Sequence, residues 1–139
     1  MKTKVSYKPE GFHSVTPYLC VNAAAKLLDF LKQAFGAEEL GRHPRPDGSI
    51  AHACVKIGDS MVELGDVTEQ SLLMPCALHI YVPDADAAYQ RAVKAGGVSV
   101  GEPGDKDYGE RSGGVKDVCG NHWYIATRIE TKRAKRKGK

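Results

Sequence analysis

Val55-Lys56-Ile57-Gly58-Asp59-Ser60-Met61-Val62-Glu63-Leu64 and Val115-Lys116-Asp117-Val118-Cys119-Gly120-Asn121-His122-Trp123-Tyr124-Ile125 follow one pattern. Each reads as a strand, a Gly-Asp or Gly-Asn turn and a second strand, the later copy carrying one extra residue. Upstream of each lies a short apolar strand that runs into an Ala-rich amphipathic helix. A unit that cannot bury its apolar face alone is repeated so that its neighbour can bury it, so the doubling predicts two paired modules with something held between them.

Outward from these stretches, Ser14 to Val21 is apolar and β-prone, and Asn22 is placed to cap a helix from about Ala23 to Phe35. Ala24, Leu27, Leu28, Leu31, Ala34 and Phe35 recur at three and four residues and form one stripe, which Gly36 ends. Strands follow near Glu39 to His43, Ala51 to Ile57 and Ser60 to Gly65. The second module repeats the plan with Ala77 to Val82, a helix capped by Asp84 carrying Ala85, Ala88, Tyr89, Ala92 and Ala95, and a stop at Gly96-Gly97. A strand near Val98 to Gly101, a Gly-rich charged loop from Glu102 to Gly114, and strands near Val115 and His122 to Thr127 complete it. The expected class is α+β, βαβββ twice, with mixed sheets curled around a cleft. Its divisions are a polar leader 1–13, a first module 14–66, a linker 67–76, a second module 77–130 and a basic tail 131–139. No Gly-rich loop opens a helix as a nucleotide fold requires.

The 139 residues suffice for one core without staples. The formal charge of +3 reflects the tail, since residues 132 to 139 hold six of the twenty basic side chains and leave 14 basic against 17 acidic. Such a tail can grip nucleic acid, but chain ends are more commonly solvated, and nucleic acid is not the expected partner. Cys20, Cys54, Cys76 and Cys119 show no paired or zinc-like spacing, which predicts reduced thiols and a cytoplasmic protein. No apolar run is long enough to cross a bilayer, and no signal core follows the N-terminus.

Strand neighbours point to opposite faces, which sorts the side chains. Val15, Leu19 and Val21 oppose Thr16, Tyr18 and Cys20; Leu78, Ile80 and Val82 oppose His79 and Tyr81. His52, Cys54 and Lys56 share a polar face with Met61 and Glu63, and His122, Tyr124 and Ala126 oppose Trp123 and Ile125. Solvent alone can account for a polar sheet face. With two modules turned face to face, the same side chains line a small-molecule cleft.

This plan resembles the vicinal-oxygen-chelate superfamily of glyoxalase I, bleomycin-resistance proteins and extradiol dioxygenases, in its small glyoxalase-like branch. The resemblance rests on Val15-Thr16-Pro17-Tyr18-Leu19 with Phe30 to Ala37, Pro46-Asp47-Gly48 before His52-Ala53, Ile57-Gly58-Asp59-Ser60, Leu78-His79-Ile80-Tyr81-Val82, and Tyr108-Gly109-Glu110-Arg111-Ser112 through Gly120-Asn121-His122-Trp123-Tyr124. It implies a homodimer, and in metal-using members four ligands, one from the first and one from the last strand of each module. Carried over, these positions are Thr16, Glu63, His79 and Tyr124, with Thr16 the counterpart of His79. His79 and Glu63 have ligand chemistry for a divalent ion (Zn, Ni, Fe or Mn), whereas Thr16 and Tyr124 stand where His or Glu is expected.

Two functions follow from the resemblance. One is a module that encloses a small polar or aromatic molecule without a complete metal site, contacting it through Thr16, Tyr18, His52, Tyr81, Arg111 and Tyr124. The other is a metal-dependent lyase or isomerase in which Glu63 moves a proton and Glu63 and His79 hold the ion. Arg111 suits an anion clamp or an ion pair with Glu110 or Asp107. Cys54 has no basic neighbour in sequence to activate it, and Trp123 is expected in the core.

Overall fold

A computed structural model describes residues 5–129; the basic tail lies outside the described residues. The elements run β1 (Tyr18–Val21), α1 (Ala24–Phe35), β2 (Glu38–Pro44), β3 (Ile50–Ile57), β4 (Ser60–Asp66), a single 3-10 turn (Gln70–Leu72), β5 (Ala77–Tyr81), α2 (Ala85–Lys94), β6 (Val98–Lys106), β7 (Glu110–Lys116) and β8 (His122–Arg128). Two four-stranded mixed sheets result, ordered β1-β4-β3-β2 and β5-β8-β7-β6. In each, the strand before the helix pairs in parallel with the last strand of its module, and the other pairings are antiparallel. The chain is therefore α+β and built of two repeated βαβββ modules.

Helix α1 buries Ala24, Leu27, Leu28, Leu31 and Ala34 as its periodicity predicts, and Phe30 as well. The extra buried position arises because α1 is covered on two sides, by its own sheet and by α2. Phe30 packs against the backbone at Gly97, where a Cβ would lie 3.2 Å from its ring. Phe35 meets Trp123 at a centroid distance of 5.0 Å, and Arg91 donates to the Ala34 carbonyl at 3.2 Å. One apolar cluster thus runs through both modules, from Leu19 and Leu64 to Val115, Trp123 and Ile125.

Four local expectations need correction. Strand β1 begins at Tyr18 rather than Ser14, and Val15 is 85% exposed instead of sharing the buried face of Leu19 and Val21; Pro17 has no N–H to give a ladder, and pairing with β4 starts at Tyr18↔Glu63. Asn22 does not cap α1. The acceptor for Ala24 N–H is the Asp66 carboxylate at 2.8 Å, whose other oxygen takes Ile50 N–H at 2.8 Å.

The segment Glu102 to Gly114 is not a loop but the facing halves of β6 and β7. Gly113 marks a close backbone approach, since a Cβ there would sit 2.9 Å from Pro103 N. Finally, Tyr18 pairs with Glu63 as His79 pairs with Tyr124. The counterpart of His79 is accordingly Tyr18, and that of Thr16, two residues earlier, is Ala77.

Candidate functional site

The register assigns each side chain to a face. On the first sheet, Tyr18, Glu63, Cys54 and Gly41 lie in one row across the strands, and Cys20, Gly65, His52 and His43 in the next. Gly65 leaves room for the Tyr18 phenol, which would be 2.8 Å from a Cβ there and donates to the Ala51 carbonyl at 3.3 Å. Nε2 of His52 and Oε1 of Glu63 are 2.5 Å apart. The His52 ring lies 5.9 Å from that of Tyr18 and 6.0 Å from that of His43.

Burial, then the neighbouring Cys20 thiol and Glu63 carboxylate, raises the Tyr18 phenol above its ordinary value. Burial and Glu63 likewise raise the Cys54 thiol. This thiol stays protonated and is a poor nucleophile. The leader crosses the same face, with Gly11 against Met61, whose methyl would be 3.1 Å from a Cβ there. Thr16, ahead of β1, is half-buried.

On the second sheet, cross-strand partners place His79 and Tyr81 of β5, His122, Tyr124, Ala126 and Arg128 of β8, and Glu110, Ser112 and Gly114 of β7 on the polar face. Glu110 is buried, with its side chain only 8% exposed. One oxygen meets His79 Nε2 at 3.0 Å, and the other accepts from the Tyr81 hydroxyl at 3.3 Å. This residue was missed because it sat in a segment read as a loop, where no strand alternation could assign it a face.

Arg111, one residue on, falls on the opposite, helix-side face in line with Val115 and Trp123. Its guanidinium holds both oxygens of Asp86 at 2.8 and 3.0 Å and Asp105 at 3.0 Å. An ion pair with Glu110 is therefore corrected to one with Asp86 and Asp105. The clamp is already occupied within the chain and directed away from the polar face.

The structure brings His52 to Glu63 and His79 to Glu110, one imidazole–carboxylate pair per sheet, but no contact joins His79 to Glu63. The helix-side faces of both sheets share one core, so both polar faces are turned away from it. A catalytic divalent ion takes about three protein ligands. Among the described residues no group of three His, Cys, Asp or Glu side chains gathers in ligand geometry. Of the expected donors, Glu63 is held by His52 and His79 by Glu110, each within its own sheet.

No helix among the described residues is long and apolar enough to cross a membrane.

Comparison with known proteins agrees with this geometry. Residues 11–125 match the family described as Glyoxalase/Bleomycin resistance protein/Dioxygenase superfamily. An uncharacterised protein of Mycobacterium bovis is 40% identical over 123 residues, covering 81% of each chain. One of Mycobacterium tuberculosis is 40% identical over 123 residues, covering 81% of this chain and 72% of its own.

Among solved structures, TioX from Micromonospora is similar at a TM-score of 0.71 and 24% identity, over 84% of this chain and 99% of its own. A superfamily member from Sphaerobacter thermophilus gives 0.66 at 19% identity, over 84% and 98%. These two likenesses concern the fold. The duplicated modules, the matched sheet topology and the family match over most of the chain agree, and the chain belongs to the glyoxalase/bleomycin resistance protein/dioxygenase superfamily.

Proposed function

We propose that this protein binds a small polar or aromatic organic molecule, and that it does so in the cytoplasm as a homodimer. The polar face of the first sheet of one protomer is set against that of the second sheet of its partner. The observation that carries this reading is the composition of those faces. Tyr18, Tyr81 and Tyr124 are each more than two-fifths exposed beside a His–Glu pair. Rings that remain wet on a sheet face offer stacking area and hydroxyls to a ligand. Four unbridged cysteines accord with a reducing compartment.

A thermal-shift screen of small aromatic and polar compounds on the purified protein tests the reading, followed by titration of hits against Tyr18→Ala and Tyr124→Ala. Loss of binding in both variants is expected. Hits whose affinity neither substitution changes count against a cleft on these faces. The second reading is a metal-dependent lyase or isomerase and needs Glu63 and His79 of different protomers to converge on one ion. Metal analysis decides it, because bound metal that persists unchanged in His79→Ala removes His79 from any ligand set.

A further inference from the structure

Five arginines lie among the described residues, and four have their guanidinium groups engaged. Arg42 holds Glu39, Arg45 holds Ser49 and the Asp66 carbonyl, Arg91 holds the Ala34 carbonyl, and Arg111 holds Asp86 and Asp105. Arg128 is exposed and makes no such contact among the described residues, although the β7–β8 register sets it directly opposite Glu110. The reason is the commitment of Glu110, whose oxygens face His79 and Tyr81. A cation placed for a cross-strand ion pair is left without its carboxylate.

What Arg128 borders instead is a hollow of about 430 Å³ at the end of the second sheet, lined by Tyr81, Tyr108, Gly109, Glu110 and Arg128. Both tyrosine rings are 67% exposed. Gly109 closes the turn through Lys106, its N–H donating to the Lys106 carbonyl at 3.2 Å, and its own carbonyl accepts from Ile129 N–H at 2.9 Å. On the other flank of Glu110, Lys106 occupies the opposing position of β6 and so shares the face. Two cations therefore flank one buried, hydrogen-bonded carboxylate.

We propose that this hollow is a subsite for an aromatic carboxylate. The planar fork of Arg128 takes the carboxylate in a bidentate pair, and the rings of Tyr81 and Tyr108 pack on the aromatic body. The assignment rests on the cleft-binding reading and gives it a ligand class: molecules of this size range fit a hollow of several hundred Å³, and Arg128, the cation in its lining, favours an anionic one because the Glu110 carboxylate beside it is already hydrogen-bonded to His79 and Tyr81.

The test is isothermal titration of the intact protein with 2-naphthoate, with the neutral 2-naphthalenemethanol and the cationic 2-naphthylmethylamine in parallel. Naphthoate is expected to bind best and to weaken as salt is raised. Arg128→Ala is expected to weaken it at least about tenfold, as loss of a charge-assisted pair does, with Arg128→Lys recovering part and Tyr108→Ala weakening both the acid and the alcohol. Arg128 is exposed, so an unchanged thermal transition certifies that the variant is folded. Naphthoate binding at equal affinity in Arg128→Ala, or none at millimolar ligand, overturns the subsite. Naphthoate binding that survives Arg128→Ala but is lost in Tyr124→Ala leaves the cleft reading standing while the subsite falls. Naphthoate binding abolished by Arg128→Ala and indifferent to Tyr18→Ala and Tyr124→Ala keeps the subsite and removes the wider cleft.

Discussion

Asp117 is buried in the turn between β7 and β8, where its carboxylate gathers four donors. They are the Cys119 N–H at 2.8 Å, the Asn121 N–H at 3.0 Å, the Asn121 side-chain amide at 3.1 Å and the Trp123 indole N–H at 2.8 Å. Asn121 in turn accepts from Cys76 N–H at 3.1 Å, which fastens the start of β5 to the same turn. Removing the acceptor leaves buried donors without partners, at about 1–3 kcal/mol for the group and more where several donors share the loss. Asp117→Ala is expected to lower unfolding stability by about 2–4 kcal/mol. Urea denaturation followed by Trp123 fluorescence measures it, and a loss under about 1 kcal/mol would show that solvent satisfies the turn. The residues of this turn were legible as a motif, but their roles were not. Nothing in the spacing says that Asp117 points inward while Lys116 beside it is exposed.

At the scale of elements, side chains distant in sequence finish what the helices begin. Asp66, the last residue of β4, accepts from Ala24 N–H at the start of α1 and from Ile50 N–H at the start of β3. A cap is worth about 0.5–2 kcal/mol, and this one satisfies two elements. Asp66→Ala is therefore expected to cost about 1–2 kcal/mol, read as a lower urea midpoint with an unchanged slope. Asn22→Ala is expected to cost little, because Asn22 caps nothing.

A second tie joins α1 to β2, where Glu39 accepts from Arg42 at 2.8 and 2.9 Å and from Lys32 at 2.8 Å. These bonds, Arg42 first and Lys32 second, hold its carboxyl at about 2 against an ordinary 4.5. A carboxyl held low contributes stability that is complete above the ordinary value and fades as pH falls toward the folded one. The melting temperatures of the wild type and Glu39→Gln should thus differ at neutral pH and converge between pH 4.5 and about 2. Parallel melting curves across that window would deny Glu39 this part in acid unfolding. Helix stripes and strand alternation were legible because they are local, and the register of β6 on β7 was not. Gly113 reads from sequence as part of a Gly-rich loop, whereas its lack of a Cβ admits the Pro103 and Gly101 backbone of β6.

For the whole molecule, the decisive feature is that the two modules meet through their helices. With α1 against α2 and Phe35 against Trp123, both polar faces are turned away from the shared core. In a dimer of the proposed kind, each cleft draws one face from each chain. Mixing His52→Ala/Tyr18→Ala protein with His79→Ala/Tyr124→Ala protein, after unfolding and refolding together, is then expected to restore ligand binding to about a quarter of the clefts, since half the dimers are mixed and each mixed dimer has one intact cleft. Neither parent binds alone. Absence of any recovery in mixed dimers isolated by paired affinity tags would place both faces of a cleft within one chain.

From the amino-acid order alone came the duplicated βαβββ plan, both helices, the polar and apolar faces of most strands, and the family. The helices and strand faces depend on periodicity within about a dozen neighbouring residues, where backbone geometry translates position directly into direction, whereas the doubling came from setting one stretch beside another and the family from the resemblance of its motifs. The tertiary structure decided the partners: Glu110 with His79, Arg111 with Asp86, Asp66 at the start of α1, and Tyr18 rather than Thr16 in the place that His79 holds in the second module. Those pairings join segments as far as 42 residues apart. They depend on strand register, and a register is set by which packed arrangement buries the most apolar surface with no polar group stranded, a condition on the whole chain that no local stretch contains.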